Sequence, residues 1–161
     1  MVMSKRHKEV IRGLSWVLFI LYIIALVYFL FFSEQMGRTP SDAYKYSLEP
    51  LKEIRRFIKY HRQLGWKTVV LNLVGNVVAF APFGFVLPII SRYKAFFQVF
   101  FISLEFSLVV EIIQLVSKVG SFDVDDILLN TLGGILGYLL FEISYRFLFR
   151  HRGKKQAREE K

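Results

Sequence analysis

Four long apolar segments set the limits on what this chain can fold into. Polar or basic stretches separate the segments, which cover about residues 14–32, 68–90, 95–117 and 126–149. A helix needs about 20 mainly apolar residues to cross the hydrocarbon core of a bilayer. Helices of that length satisfy all their backbone polar groups internally, as lipid requires. The sequence therefore predicts an all-α integral membrane protein, a bundle of four transmembrane helices.

The charge pattern narrows the choice of partner. The 161 residues carry a net charge of +9 and fit a single membrane domain covering 1–161. The basic residues flank the apolar segments and no nucleic-acid motif accompanies them, so we predict membrane lipids with anionic headgroups as partners and no nucleic acid. There is no cysteine, which excludes disulfides and thiolate zinc sites.

The first apolar segment begins after a basic cluster, as a signal peptide does. It is longer than the usual signal-peptide core and ends without a small-residue cleavage site, so we interpret it as an uncleaved span. Basic residues at both ends of the chain, including a tail over 150–161, and at the turn around Arg92 and Lys94 favour cytoplasmic termini. The long polar connection after the first span would then face outward, although it is itself rich in basic residues.

That connection contains a pattern typical of an amphipathic helix. Over about 50–64, beginning at Pro50, apolar residues recur at helical spacing and basic residues take the other positions. We predict an interfacial helix between the first and second spans. Two other interpretations stay open. The segment is a solvated connector helix, or it binds phosphate headgroups specifically. Its candidate lipid-binding residues are Arg55, Arg56, Lys59 and Arg62.

Polar side chains recur at helical spacing within the last three spans and in the loop before the fourth. Antiparallel packing would bring Asn76, Glu111 and Asn130 to similar depths, roughly 10 Å below the outer surface at about 1.5 Å per residue. An Asp at a helix centre costs roughly 2.5–3.5 kcal/mol, so several polar groups at one depth indicate a function. We predict a polar, acidic pocket facing the outer leaflet. Its residues would be Asn72, Asn76, Ser107, Glu111, Gln114, Asp123, Asp126 and Asn130.

Several chemistries fit these residues. Glu111, Asp123 and Asp126 are candidate catalytic acids or bases, because burial and like charge split the pKa values of paired carboxyls. The same three carboxylates are candidate ligands of Mg²⁺ or Ca²⁺. The structural alternatives are interhelical hydrogen bonds by the amides, each contributing about 1 kcal/mol, and a helix cap by Asp123.

Small residues predict where helices approach closely. Gly75 and Ala79 on the second span, and Gly133 and Gly137 on the fourth, form small-xxx-small patterns. Pro82, Gly84 and Pro88 interrupt the apolar sequence of the second span. Pro82 and Gly84 should loosen the helix there, as either a kink or a gating point.

Three ordered blocks resemble the signature blocks of VanZ-like membrane proteins. They are L-N-L-V-G-N-V-V-A-F-A-P-F-G (71–84), E-I-I-Q (111–114) and F-D-V-D-D-I-L-L-N-T-L-G-G-I-L-G (122–137). The resemblance implies a small protein of the bacterial plasma membrane linked to low-level teicoplanin resistance. The family often has an arginine in the loop before the third block, where this chain has Lys118. By motif match, the family's polar positions fall on Asn72, Asn76, Glu111, Gln114, Asp123, Asp126 and Asn130.

Three functions follow as hypotheses. The first is a membrane protein that lowers susceptibility to teicoplanin-type lipoglycopeptides by binding or altering a cell-envelope lipid or precursor. The second is a membrane enzyme, a hydrolase or transferase acting on a lipid headgroup or an isoprenoid-linked cell-wall precursor through Glu111, Asp123 and Asp126. The third is a lipid or ion transporter, which would need an oligomer because four spans are few for a monomeric pathway.

Overall fold

The computed structural model describes residues 5–32 and 43–159 of the chain. Its described part is almost entirely helical, with one pair of two-residue strands. In chain order the elements are α1 (Lys5–Phe32), β1 (Tyr46–Ser47), α2 (Lys52–Lys59), α3 (His61–Leu64), α4 (Trp66–Ile90), α5 (Phe96–Ser117), β2 (Phe122–Asp123) and α6 (Val124–Glu159).

Four of these helices are long and apolar enough to cross a membrane. The candidate spans are Glu9–Phe32, Trp66–Ile90, Phe96–Ser117 and Val124–Phe147. The predicted all-α membrane bundle is therefore confirmed. The backbone of α6 continues beyond the fourth span to Glu159, so it is helical through most of the stretch predicted as a basic tail.

Helices α4 and α6 pack closely against each other within the bundle. Cβ atoms at Gly133 and Gly137 of α6 would overlap the carbonyl groups of Val77 and Ala81 on α4. Gly84 of α4 meets the backbone of α6 in the same way, at Gly134. These backbones approach so closely that only glycine fits, which is how helices associate in lipid.

On α4, the residues that meet Gly133 and Gly137 differ from the small residues singled out in the sequence. The α4 groups that meet Gly133 and Gly137 belong to Val77 and Ala81, rather than to Gly75 and Ala79. The Ala79 carbonyl accepts a hydrogen bond from the Tyr22 hydroxyl of α1 at 2.7 Å, so Ala79 contributes to the contact with α1. Gly75 is half-buried.

Pro82 and Pro88 lie inside α4, yet α4 runs as a single helix from Trp66 to Ile90. The prolines therefore do not end the second span, and the kink and the gating point both stay predictions. Transmembrane helices tolerate proline when neighbouring groups satisfy the freed carbonyls.

The predicted interfacial helix over 50–64 is two helices. Tyr60 has φ −104° and ψ 20°, outside the helical range, and separates α2 from α3. Phe57 is buried toward the bundle. Gly65, with φ 82°, then turns the chain from α3 into α4. The segment therefore lies at the end of the bundle where α4 begins.

Candidate functional site

The loop between α5 and α6 is built around carboxylates that accept backbone hydrogen bonds. Asp123 is the N-cap of α6, and its Oδ1 accepts the Asp125 N–H at 2.9 Å. The N–H of Asp123 itself donates to Glu111 Oε2 at 2.9 Å. Glu111 is 1% exposed. Glu111 and Asp123 therefore meet as predicted from the sequence, but through the Asp123 backbone.

Two further pairs connect the last three spans. The Asn76 amide of α4 donates to Asp126 Oδ1 at 2.5 Å, and the Asn130 amide of α6 donates to Ser107 Oγ of α5 at 3.0 Å. Asn76, Ser107 and Asn130 are each at most 2% exposed. The structure thus brings residues from α4, α5 and α6 together at one end of the bundle. We call this set the polar cluster; its members are Asn76, Ser107, Glu111, Asp123, Asp126 and Asn130.

Two of the predicted pocket residues bond elsewhere. The Gln114 amide donates to the Leu30 carbonyl at 3.0 Å and so joins α5 to α1. The Asn72 amide donates to the Thr68 carbonyl of its own helix at 2.8 Å. Neither of these amides therefore reaches the polar cluster through the hydrogen bond that it donates.

Asp125 is the residue whose role the sequence reasoning missed. Its carboxylate is 1% exposed and accepts the backbone N–H groups of Leu51, Glu53 and Ile54, the last two at 2.8 and 3.0 Å. It therefore caps the start of α2 from a distant part of the chain. One feature of the sequence indicates that α2 needs a distant cap. Leu51 occupies the N-cap position, and its apolar side chain leaves the first N–H groups of the helix without a local partner.

The two strands reinforce this attachment. β1 and β2 are parallel, with Tyr46 opposite Phe122 and Ser47 opposite Asp123. The Phe122 N–H also donates to the Lys45 carbonyl at 3.0 Å. β2 and the first turn of α6, which carry Asp123 and Asp125, are therefore attached to the residues before α2 and to its first turn. This attachment holds α2 at the end of the bundle beside the polar cluster.

The four predicted lipid-binding cations differ in their contacts. Arg56 pairs with Glu53 at 2.8 Å and lies 5.2 Å from the Phe57 ring. Lys59 lies 5.3 Å from the ring of Tyr60. Arg55 and Arg62 are exposed and form no ion pair with any residue that the structure describes. Arg55 and Arg62 are thus the cations most open to an anionic headgroup.

The acidic residues do not form a metal site within the described ranges. Residues 5–32 and 43–159 contain no group of three or more His, Cys, Asp or Glu side chains that could hold a metal ion. The carboxyl oxygens of Glu111 and Asp123 accept backbone N–H groups, and Asp126 accepts the Asn76 amide. The residues therefore do not fit the predicted Mg²⁺ or Ca²⁺ ligation by Glu111, Asp123 and Asp126.

Asp123 is a titratable group of this loop with a perturbed pKa. Burial raises the pKa of Asp123 from 3.8 to about 6, although the hydrogen bond from the Asp125 N–H opposes the shift. The negative charges of Asp125 and Glu53 add to the increase, and Arg56 reduces it. The Asp123 carboxyl consequently takes up or releases a proton close to neutral pH.

Several buried polar atoms near the cluster have no hydrogen-bond partner among the described residues. They include the side-chain amide oxygens of Gln114 and Asn130 and the hydroxyl groups of Ser103 and Thr131. Unpaired buried groups are rare and mark places where water or a ligand atom completes the bonding. The interior side of the cluster therefore keeps unused capacity for polar contacts.

Comparison with known proteins gives results that agree with one another. The family model described as VanZ/LLP1 matches residues 19–146, which include the polar cluster and α2. A curated relative, Protein VanZ from Enterococcus faecium, is 35% identical over 77 residues, which are 48% of this chain and 48% of the relative. The chain thus matches over about half the length of that relative. No solved structure is significantly similar to this chain.

Proposed function

This chain belongs to the VanZ/LLP1 family, and we propose that it lowers bacterial susceptibility to teicoplanin-type lipoglycopeptides by binding an anionic lipid or lipid-linked precursor of the cell envelope. The resemblance of its three sequence blocks to VanZ-like proteins supplies the phenotype. The observation that carries the mechanism is the attachment of the basic α2–α3 segment to the buried polar cluster through Asp125.

This attachment supports lipid binding because it fixes cations where headgroups lie. Asp125 and the β1–β2 pair hold α2 at the end of the bundle, and the exposed side chains of Arg55 and Arg62 lie on the α2–α3 segment. A basic residue near an anionic membrane surface contributes roughly 1 kcal/mol of attraction. A lipid bound there would be less accessible to a drug that inserts its own tail into the same leaflet.

The proposal places this end of the bundle at the outer leaflet of the plasma membrane. The start of α4, the end of α5 and the start of α6 share this end, and the turn around Arg92 and Lys94 lies at the other. The start of α1 and the end of α6 then lie on the side of that turn. Their basic residues and those of the turn favour the cytoplasm.

A membrane enzyme acting on a lipid headgroup is the second candidate. The observation that favours it is the raised pKa of Asp123, about 6, beside the buried Glu111. A carboxyl that titrates near neutral pH is suited to general acid–base catalysis. Lipid mass spectrometry of cells with and without the protein separates the candidates, because an enzyme changes the lipid species and a binding protein leaves them unchanged.

The susceptibility proposal is tested by expression in a susceptible bacterium. We expect the minimal inhibitory concentration of teicoplanin to rise and that of vancomycin, which lacks the lipid tail, to stay the same. Asp125→Ala should reduce the increase because α2 loses its cap, and Glu49→Ala, an exposed acid beside α2, should keep it. An equal shift for both drugs, or no shift, would contradict the proposal.

A further inference from the structure

Two cavities adjoin where the α2–α3 segment meets the start of α4. The first, of about 410 Å³, is an apolar groove lined chiefly by Ile58, Trp66, Val70, Leu73 and Val74. The second, of about 300 Å³, is a recess lined by His61, Arg62, Gly65 and Trp66, and it contains the basic side chain of Arg62. His61 and Trp66 line both cavities. An apolar compartment therefore continues directly into a cationic one.

We call the apolar groove between Ile58 of α2 and Val70, Leu73 and Val74 of α4 the α2–α4 groove. It lies on the outer surface of the bundle. Ile58, Val70 and Val74 are 61%, 47% and 50% exposed. A volume of about 410 Å³ lies within the usual range for small-molecule sites. Because Val70, Leu73 and Val74 belong to a membrane-spanning helix, the groove opens toward lipid tails. It is suited to an extended apolar chain.

The recess lies at the end of α4 where the candidate span begins, and we expect lipid headgroups at that level. Trp66 is the first residue of α4, and tryptophan is enriched at the membrane–water interface. The centroid of the His61 ring lies 5.7 Å from that of Trp66, with the two rings tilted by 44°. The His61 Nδ1 is 2.9 Å from the Ile58 carbonyl oxygen, which orients the imidazole. Arg62 forms no ion pair with a described residue. The recess therefore presents positive charge without an internal counter-ion.

We propose that the two cavities together bind one anionic glycerophospholipid, with an acyl chain in the α2–α4 groove and its phosphate in the recess beside Arg62 and His61. This inference rests on the proposed function, since it names the lipid that the α2–α3 segment holds. The order of the compartments matches the order of groups in a phospholipid. A second copy of the chain is a poorer match, because a two-fold contact through the groove would bring the uncompensated Arg62 side chains of both copies into one interface.

Trp66 provides a direct reporter, since it lines both cavities. The chain has 2 tryptophans, so Trp16→Phe leaves Trp66 as the single emitter. The full chain is reconstituted in phosphatidylcholine vesicles containing increasing fractions of phosphatidylglycerol brominated on its acyl chains, and quenching of Trp66 is measured. Brominated phosphatidylcholine serves as the neutral comparison. We expect phosphatidylglycerol to associate about fivefold more strongly, the effect of one basic residue near an anionic lipid.

Two matched pairs of variants separate the compartments. Val74→Phe fills the groove, and Val78→Phe makes the same change one turn further along the exposed face of α4, outside the groove. Only Val74→Phe should weaken association of both lipids, by about fivefold, the effect of expelling one or two methylene groups. Arg62→Gln should abolish the preference for phosphatidylglycerol. Arg92→Gln, an equal change of charge in the turn beyond the far end of α4, should keep it.

Four outcomes would overturn the proposal. They are equal association of the two lipids, equal effects within either pair of variants, quenching relieved by glycerol phosphate alone, and a crosslinked dimer in which Trp66 is shielded from both lipids. The last would assign the groove to a second copy. A phosphatidylglycerol preference without any teicoplanin phenotype would leave this inference standing and refute the proposed function. A teicoplanin phenotype without a phosphatidylglycerol preference would leave the proposed function standing and refute this inference.

Discussion

Carboxylate oxygens near the start of α6 bond mainly to backbone groups. Glu111 accepts the Asp123 N–H, Asp123 accepts the Asp125 N–H, and Asp125 accepts three N–H groups at the start of α2. The three acids therefore connect the end of α5, the start of α6 and the start of α2. Removing the carboxylate of Glu111 or Asp123 leaves a buried donor unpaired, and removing that of Asp125 leaves three partly buried donors without their acceptor. An unpaired buried group costs more than the bond itself contributes.

Asp125→Ala should loosen α2 while leaving the spans folded. Hydrogen bonds to a charged acceptor contribute roughly 1.5–3 kcal/mol, so the amides of Leu51, Glu53 and Ile54 should exchange with solvent at least tenfold faster. Leu51 sits at φ 65°, an unfavourable conformation for a non-glycine residue that the Asp125 bond helps to hold. Hydrogen exchange in detergent or nanodiscs measures this. Glu49→Ala is the control, and unchanged protection in Asp125→Ala would exclude the cap.

Asp123 should make the free energy of unfolding fall as the pH rises, which is the opposite of the usual effect of an acid. Its pKa is raised from 3.8 to about 6 on folding, so the folded chain binds the proton more tightly than the unfolded chain. The contribution of Asp123 to the free energy of unfolding is fully present below about pH 3.8 and is lost as the pH rises through about 6.

Asp123→Asn should flatten this dependence, because asparagine also caps helices but does not titrate. Thermal unfolding in detergent across about pH 4 to pH 7.5 gives the comparison, and we expect the variant to gain in Tm relative to the wild type as the pH rises. All other acids are the same in both proteins, so the difference between the two curves isolates Asp123. A variant curve parallel to the wild-type curve would refute the raised pKa.

At the scale of elements, contact between α4 and α6 organises the bundle. Gly84, Gly133 and Gly137 let the two backbones touch, and the same contact brings Asn76 to Asp126. The polar cluster therefore depends on the register between these helices. A shift along either axis would separate the cluster's donors from their acceptors inside an apolar medium.

Gly137→Ala should destabilise the bundle, since the added Cβ would overlap the Ala81 carbonyl. Overpacking of this kind costs roughly 1–3 kcal/mol. Gly13→Ala is the matched control on α1, where a Cβ meets nothing within 4 Å and helix propensity improves by about 1 kcal/mol. Thermal unfolding in the same detergent should show a lower Tm for Gly137→Ala and an equal or higher Tm for Gly13→Ala. The opposite order would contradict the close contact.

Element-level features were predictable to different degrees. Apolar length located the four spans, and helical spacing indicated that Asn76, Glu111 and Asn130 would share one end of the bundle. Spacing did not identify Asp125, because its partner Leu51 lies 74 residues away in sequence and their contact has no periodic signal. Likewise, the small-residue pattern gave the α6 side of the helix contact and missed the α4 side, where backbone carbonyls of Val77 and Ala81 form the contact.

For the whole molecule, the decisive question is which side of the membrane the polar cluster faces. Helices α2 and α3 and the loop carrying Asp123 lie at one end of the bundle, so they all face the same side of the membrane. A site that acts on lipoglycopeptide susceptibility through an outer-leaflet lipid has to face outward. The basic residues of the termini and of the turn at Arg92 and Lys94 favour that orientation.

The chain contains no cysteine, so single introduced cysteines report this orientation without background. Gln63→Cys places a thiol on the exposed side of α3, and Lys94→Cys places one in the exposed turn beyond the opposite end of α4. In intact cells a membrane-impermeant maleimide should label Gln63→Cys and should reach Lys94→Cys only after permeabilisation. The reverse pattern would put Arg62, Asp125 and the polar cluster on the cytoplasmic side. Lipid binding there would not shield the outer leaflet, and the proposed route to teicoplanin tolerance would fail.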